Sequence, residues 1–490
     1  MDYFSQLIKA LENRQETEAM LIVKEHGSEF NKYQEFNGNT IFTYAIKNKL
    51  PLFCNAMLRD QALINMPDGY GNYPLHLAIN RDYEDLVVQM LKFKSDPVVQ
   101  NNSNVYPLFL AINKGMFKLI EQMIENPNVI NLTNTDGNNL LMSCINKFTE
   151  TKDKQYVDLA KKIIEKGINL YYSNIIDISP NYKENALTLA IKSDAIHIAK
   201  EIIKTGKALN IENKDNKRPI ILCIEKGLEN LGLSILEYNI DLSYNVDGDT
   251  ALTLAIKKDM YAIADALLTK SPLIDHCDHQ GNRPIGLAIE KGLVKLTNKL
   301  IDLKYSKDVL ANIANLQEFP LTLAIKHDQF IIAQDLINKC KGLVINVHNK
   351  EEKSPFCLAL MKGYDDLCQL MIKNGLNMNE YSNNVETHFT MAIKAARPEV
   401  VKALVNKGVE YKANKRGESP ENICRALQMT SMLNIINKNP YEPPAPINNK
   451  PIVSSKNNFN KNVQATTDSP FISEKEKQSA ELHKKIKSML

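Results

Sequence analysis

The sequence predicts an all-α solenoid, in which stacked helix-turn-helix-hairpin repeats form a curved rod with an extended C-terminal tail. The first observation is a short pattern that recurs as PLHLAI at Pro74, PLFLAI at Pro107, ALTLAI at Ala186 and Ala251, and PLTLAI at Pro320. The second is the spacing, since neighbouring patterns such as the first two lie 33 residues apart. The third is the polar, turn-rich stretch that separates the patterns, for example NMPDGYGNYP. Self-similarity at such a period is typical of solenoids.

A small residue near the end of each pattern serves here as the anchor of the repeat. Apolar residues flank it at minus three, minus one and plus one, as Leu75, Leu77 and Ile79 flank Ala78, which predicts a short buried helix. A second apolar stripe, eight to thirteen residues past most anchors, predicts a second, amphipathic helix. Successive anchors are 32 to 36 residues apart, except for one interval of 46. The anchors are Ala45, Ala78, Ala111, Cys144, Ala190, Cys223, Ala255, Ala288, Ala324, Ala359, Ala392 and Cys424.

The period near 33 residues and the recurring pattern resemble the ankyrin repeat, with its T-P-L-H-x-A signature. The resemblance covers about residues 38–437, as about twelve repeats, behind an N-terminal capping helix pair. It implies L-shaped units whose hairpin fingers and concave helix face bind proteins. The family's repeats have a histidine two positions before the anchor, and in this sequence only His76 retains it. The family's usual side-chain hydrogen-bond relay is therefore not predicted in the other repeats. Threonine replaces that histidine at Thr43, Thr188, Thr253, Thr322 and Thr390.

The repeat pattern also sets the expected domain boundaries. Residues 1–37 are predicted to form the capping helix pair, and residues 38–437 the solenoid, with an insertion around 147–183. Residues 438–470 are rich in proline, asparagine and serine, the composition of a linker. Residues 471–490 are predicted to form a short amphipathic helix, with Leu482 and Ile486 on one face.

Glycine and aspartate alternate four residues past the anchors, which gives a superperiod near 66 residues. One interpretation is ancestry combined with a backbone need, because both residue types tolerate left-handed geometry. The other is a partner whose own contacts repeat every second unit. The alternating residues are Asp82, Gly115, Asp194, Gly227, Asp259, Gly292, Asp328 and Gly363.

Tyrosines in the fingers and apolar residues of the tail are the candidate partner-binding residues, since long solenoid loops commonly carry binding. The finger after the 46-residue interval is unusually apolar, and its side chains either recognise a partner or cover a gap in the stack. The candidates are Tyr70, Tyr106, Tyr171, Tyr172, Tyr182, Tyr244, Tyr381, Leu482 and Ile486.

Composition and motif searches exclude several classes of function. Basic residues exceed acidic ones by three, 60 against 57, and the fingers carry acids, so nucleic-acid binding is not expected. No secretory signal or membrane-spanning run is present, and the eight scattered cysteines favour a reducing, cytoplasmic location without membrane insertion. The DHCDHQ segment from Asp275 to Gln280 fits turn chemistry better than a metal site. Neither cofactors nor catalytic residues are predicted, so the chain is not expected to be an enzyme.

The sequence therefore predicts a non-enzymatic scaffold that binds protein partners along its fingers and concave face. A more specific expectation is a structural component of a large cytoskeletal or ciliary assembly, with the C-terminal tail as a second contact. The alternative is a soluble regulatory inhibitor that occludes the surface of an enzyme or transcription factor.

Overall fold

The computed structural model of the 490-residue chain describes residues 2–175, 183–270, 273, 275–303 and 318–441. Helices follow one another in pairs along this part of the chain, which confirms the predicted all-α solenoid. No helix among the described residues is long and apolar enough to span a lipid bilayer.

Each repeat contributes an inner helix, which contains the anchor, and an outer helix that follows it. The helices are α1 (Tyr3–Glu12), α2 (Glu16–His26), α3 (Ile41–Lys47), α4 (Pro51–Met57), α5 (Gln61–Ile64), α6 (Pro74–Asn80), α7 (Glu84–Lys92), α8 (Pro107–Lys114), α9 (Phe117–Met123), α10 (Leu140–Thr151), α11 (Gln155–Glu165), α12 (Ala186–Lys192), α13 (Ile196–Lys204), α14 (Pro219–Glu225), α15 (Glu229–Leu236), α16 (Ala251–Lys257), α17 (Tyr261–Lys270), α18 (Pro284–Glu290), α19 (Val294–Asp302), α20 (Pro320–Lys326), α21 (Phe330–Cys340), α22 (Gly342–Ile345), α23 (Pro355–Lys362), α24 (Asp365–Lys373), α25 (His388–Lys394), α26 (Pro398–Asn406), α27 (Pro420–Ala426) and α28 (Thr430–Lys438).

The core runs between the helices along the stack. Each inner helix packs on its own outer helix and on the inner helices of its neighbours, as α14 packs on α15, α12 and α16. The anchors are buried without exception, because a small side chain lets neighbouring inner helices approach closely. Free cysteines take the place of alanine at Cys144, Cys223 and Cys424.

Two devices start the inner helices. Proline occupies the first turn in seven of the inner helices. A backbone N–H at this position would have no acceptor within the helix, so proline, which lacks one, is tolerated there. In α16, the Thr250 hydroxyl accepts a hydrogen bond from the Thr253 N–H, and the Thr253 hydroxyl accepts one from the Thr250 N–H. The threonine that replaces the family's histidine therefore caps its own helix. His76 instead reaches the next finger, with its Nε2 2.8 Å from the Val105 carbonyl oxygen.

Fingers connect one repeat to the next, and two of them contain short antiparallel strands. Strand β1 (Ser173–Ile175) pairs with β2 (Lys183–Asn185), and β3 (Asn245–Val246) pairs with β4 (Asp249–Thr250). The other described fingers are turns and single bridges such as Thr133 with Asn139.

The first part of the insertion predicted around residues 147–183 lengthens a helix of the fourth repeat. Helix α10 runs on to Thr151 and leaves only a short connection to α11. Hydroxyls of Thr149 and Thr151 donate to the carbonyls of Ile145 and Lys147 one turn earlier, at 2.8 Å each. The inserted residues continue an existing helix because this adds a backbone hydrogen bond with every residue.

Candidate protein-interaction face

The fingers and the inner helices meet along one face of the stack, which we call the finger face. Lysine occupies the position two after the anchor in five repeats, and these residues are named bridging lysines below. In α16, Lys257 Nζ lies 2.8 Å from an oxygen of Asp249 on the preceding finger and 2.8 Å from an oxygen of Asp278 on the following finger. The bridging lysines are Lys47, Lys192, Lys257, Lys326 and Lys394.

Lys394 shows the electrostatics of this arrangement. Its Nζ lies 2.7 Å from Glu386 and 2.7 Å from Glu418, on successive fingers. Burial opposes its charge, but hydrogen bonds to the two carboxylates outweigh burial and raise the pKa of Lys394. Burial also opposes the charge of Glu386, while hydrogen bonds from Lys394, Thr390 and Asn414 hold the pKa of Glu386 below its usual range. Each bridging lysine therefore ties two fingers to one inner helix.

Sequence reasoning missed the bridging lysines, although a signal was present. In four of the five repeats, an acidic residue lies eight positions before the bridging lysine. This spacing places the acid at the base of the finger that precedes the inner helix of that lysine. The four pairs are Glu184 with Lys192, Asp249 with Lys257, Glu318 with Lys326, and Glu386 with Lys394.

The glycine and aspartate alternation has a local structural cause. Asp194 and Gly227 both have left-handed backbone, with φ of 58° and 72°. The aspartate in addition accepts a hydrogen bond from a lysine at the end of the next inner helix, since Lys226 Nζ lies 2.8 Å from Asp194 Oδ1. The same contact joins Asp82 to Lys114, Asp259 to Lys291, and Asp328 to Lys362. The geometry accordingly favours the interpretation based on backbone need over a partner that reads every second unit.

Two of the candidate tyrosines are largely exposed at the fingers. Tyr70 has 64% of its surface exposed, and Lys47 Nζ lies 5.2 Å from the centre of its ring. Tyr171 has 58% of its surface exposed, at the finger that follows α11. Rings that project from a finger in this way are available to a partner.

The other described candidates are half-buried. The Tyr172 hydroxyl donates to the Gly137 carbonyl of the previous finger at 2.7 Å, and burial raises the pKa of Tyr172. Tyr244 lies under the Arg218 guanidinium, 4.3 Å from it. Tyr381 lies between two lysines, with Lys412 Nζ 5.2 Å and Lys415 Nζ 4.9 Å from its ring centre. These three side chains contact neighbouring fingers and also remain partly exposed to solvent.

Tyr106 has a different position, because it lines a depression of about 340 Å³ on the finger face between α8 and α10. Its ring centre lies 6.4 Å from that of Phe109. Asn113 and Asn146 also line this depression. Tyr182, Leu482 and Ile486, the remaining candidates, lie outside the described residues.

The buried thiols are poor nucleophiles. Burial raises the pKa of Cys54 and that of Cys223 to about 12, and raises the pKa of Cys144 further. A thiolate is the reactive form of cysteine, so these residues act as small apolar side chains.

Comparisons with known proteins agree with this architecture. Residues 321–415 match the family model for three copies of the ankyrin repeat, and residues 70–102 match the model for a single ankyrin repeat. The chain is 21% identical over 431 residues to the human transient receptor potential cation channel subfamily A member 1. That similarity covers 73% of this chain and only 38% of the length of the channel protein.

Solved structures with similar geometry include EF0377, an ankyrin repeat protein, at 20% identity and a TM-score of 0.35, covering 40% of this chain and 95% of that one. Another is the ankyrin repeat domain of Bcl-3, a member of the IκB protein family, at 18% identity and a TM-score of 0.37, covering 46% of this chain and 99% of that one. The family-model matches lie near both ends of the described helix pairs, which share one anchor pattern. The chain carries ankyrin repeats at residues 70–102 and 321–415, and the ankyrin repeat is a module of protein–protein interaction.

Proposed function

We propose that this chain is a non-enzymatic scaffold, which binds protein partners through its finger face as a structural component of a large cytoskeletal or ciliary assembly in the cytoplasm. The observation that carries the proposal is the exposure of Tyr70 and Tyr171 on fingers whose positions are fixed by ion pairs between repeats. Exposed aromatic rings on a preorganised surface bind partners with little loss of conformational entropy.

The length of the stack supports a scaffold role in particular. Helix pairs that pack roughly 8 to 10 Å apart accumulate a long surface, on which partners can bind side by side. The ankyrin fold is typically non-catalytic, and burial of the described anchor cysteines fits that character.

The C-terminal tail is proposed as a second contact. Leu482 and Ile486 fall on one face of the helix predicted for residues 471–490, and the linker of residues 438–470 would let that helix reach a separate site. Two linked contacts on one assembly gain from effective concentration.

Crosslinking mass spectrometry in native cell extract tests the proposal. The variants are Tyr70→Ala combined with Tyr171→Ala, and a deletion of residues 442–490. Tyr261→Ala is the matched control, because Tyr261 is 45% exposed at the start of an outer helix. We expect the wild type to crosslink from many fingers to a stable set of structural proteins, and both test variants to lose links that the control keeps.

A different pattern would support the regulatory inhibitor instead. In that case the links would come from a few adjacent repeats to one enzyme or transcription factor, and deletion of residues 442–490 would leave them unchanged.

A further inference from the structure

Three successive outer helices carry an ordered set of side chains at their starts, at the turn that follows each inner helix. The second residue of the outer helix is Lys295 in α19, Ile331 in α21 and Asp366 in α24. All three side chains are exposed, and Ile331 has 59% of its surface exposed. A basic, an apolar and an acidic side chain thus follow one another at a single position of the repeat. We call these three residues the outer row.

The outer row lies on one continuous surface. Helix α19 packs on α21, and α21 packs on α24. The ring centre of Phe330, the first residue of α21, lies 6.1 Å from that of Tyr364, which immediately precedes α24. Because the three helices start at equivalent points of their repeats, Ile331 lies between Lys295 and Asp366, one repeat from each.

The two charges of the outer row are unpaired within the described part of the chain. Neither Lys295 nor Asp366 forms an ion pair or a side-chain hydrogen bond there, whereas the adjacent Asp365 has Arg397 Nε 3.7 Å from its Oδ1. In addition, a lysine in the first turn of a helix lies at the positive end of the macrodipole, where its charge is unfavourable. Contacts within the described stack therefore do not account for Lys295.

The exposed apolar side chain between the two charges is not needed for packing either. Ile332 and Ala333, the next two residues of α21, are buried and supply its contact with the core. Ile331 instead points away from the core, beside the half-buried rings of Phe330 and Tyr364. These three side chains form an apolar surface, whose removal from water is favourable.

The order of the outer row favours a second copy of this chain as the occupant. A two-fold axis through Ile331 brings the Ile331 side chains of two copies together. The same rotation places Lys295 of each copy opposite Asp366 of the other, because both residues lie one repeat from the axis. The outer row is therefore complementary to itself in charge, as a contact between two identical surfaces requires.

We propose that the outer row is a homodimer interface, in which two copies of this chain pair with Ile331 against Ile331 and Lys295 against Asp366. The inference goes beyond the proposed scaffold function and does not depend on it, since the fingers take no part in this contact. Three helix starts and their flanks extend about 30 Å along the stack. With a width of about 14 Å, the length of one outer helix, the two copies bury about 800 Å² together, which is typical of weak, reversible complexes.

Sedimentation equilibrium of the full-length protein tests the interface. We expect the wild type to dimerise with a dissociation constant of about 1 to 100 μM. Ile331→Glu places two carboxylates on the axis, and we expect it to raise the dissociation constant at least about tenfold. Leu52→Glu is the matched control, because Leu52 is the second residue of α4 and is 55% exposed. Its dissociation constant should stay within about twofold of that of the wild type.

Charge reversal tests the two-fold symmetry. Lys295→Asp and Asp366→Lys each create like charges across the axis, so either variant alone should dimerise at least about tenfold more weakly than the wild type. An equimolar mixture of the two variants restores both opposite-charge pairs in the heterodimer. Its dissociation constant should return to within about threefold of that of the wild type. Lys118→Asp is the matched control, because Lys118 is the exposed second residue of α9.

The substituted side chains are all exposed, so far-UV circular dichroism should be the same for every variant. A wild type that stays monomeric up to about 200 μM would overturn the proposal, as would a mixture that dimerises no more tightly than either variant alone. Equal weakening by Leu52→Glu or Lys118→Asp would also overturn it. Crosslinks from the outer row of a monomeric wild type to another protein would assign the row to that protein instead. Finger crosslinks are measured separately, so the scaffold function and the dimer can fail independently.

Discussion

Lys226 Nζ lies 2.8 Å from Asp194 Oδ1, and the two residues belong to successive repeats. The backbone of Asp194 is in the left-handed region, and its side chain accepts a hydrogen bond from Lys226 at the end of the next inner helix. One residue therefore satisfies a local backbone requirement and an inter-repeat contact together, which accounts for aspartate at this position.

Asp194→Gly and Asp194→Ala separate these two roles. Glycine adopts the φ of 58° freely, so we expect a midpoint of urea unfolding close to that of the wild type. Alanine places a Cβ in left-handed geometry, and we expect it to destabilise the protein by about 1 kcal/mol. Circular dichroism during urea titration measures both. A loss of partner crosslinks in the glycine variant without a change in stability would instead support a partner that reads the aspartates.

Removal of a bridging lysine should lower the free energy of local opening around it. In Lys257→Met the fully buried Asp278 side chain loses its cationic partner, and we expect the local free energy of opening to fall by about 2 kcal/mol. Hydrogen exchange of the amides in α16 and α18 measures the change. Lys291→Met is the control, because it breaks a more exposed pair with Asp259 between the same two repeats. An equal loss of protection in both variants would contradict the prediction.

The region around His388 should lose stability in acid. Burial lowers the pKa of His388 from 6.5 to about 4. The unfolded chain therefore binds more protons between these values, and the contribution of neutral His388 is complete above pH 6.5 and declines as the pH falls to 4. We expect the protection factors of the amides in α25 and α26, taken relative to the intrinsic exchange rate at each pH, to fall as the pH is lowered over this range.

His388→Pro provides the control for that titration. Proline occupies the same first-turn position in seven other inner helices, so this variant is expected to fold. Its protection factors in α25 and α26 should depend less on pH over the same range. Unchanged pH dependence in the variant would assign the effect to another group.

The neighbours Tyr171 and Tyr172 should respond differently to loss of a hydroxyl. Tyr172→Phe leaves the Gly137 carbonyl without its 2.7 Å donor, and we expect a loss of about 1 kcal/mol. Tyr171→Phe changes an exposed ring and should leave the urea midpoint unchanged. Similar midpoints for the two variants would show that the Tyr172 hydrogen bond contributes nothing measurable.

The sequence was sufficient for the helices and their packing because these depend on local periodicity. The small anchors such as Ala78 are buried as the pattern predicts, and proline at positions such as Pro74 begins a helix. The continuation of α10 to Thr151 was not predictable from the anchor spacing, since an insertion of that size fits a loop or a helix equally well.

The candidate site was predictable only in part. Tyr171 and Tyr172 are adjacent and identical in type, and only the finger geometry decides which ring faces solvent. The contact of Lys257 with Asp278 depends on the register between repeats, which no local pattern encodes.

The bridging lysines should also affect how the stack of repeats extends when it is pulled from its ends. Lys192, Lys257 and Lys394 each hold the finger that precedes their own repeat and the finger that leads into the next, and the contact of Lys226 with Asp194 joins repeats already linked by Lys192. Other ion pairs continue these links from one pair of repeats to the next, as Arg218 with Asp241 does. A single molecule stretched from its ends should therefore resist extension along the whole stack, and added salt should weaken this resistance because it screens the exposed ion pairs.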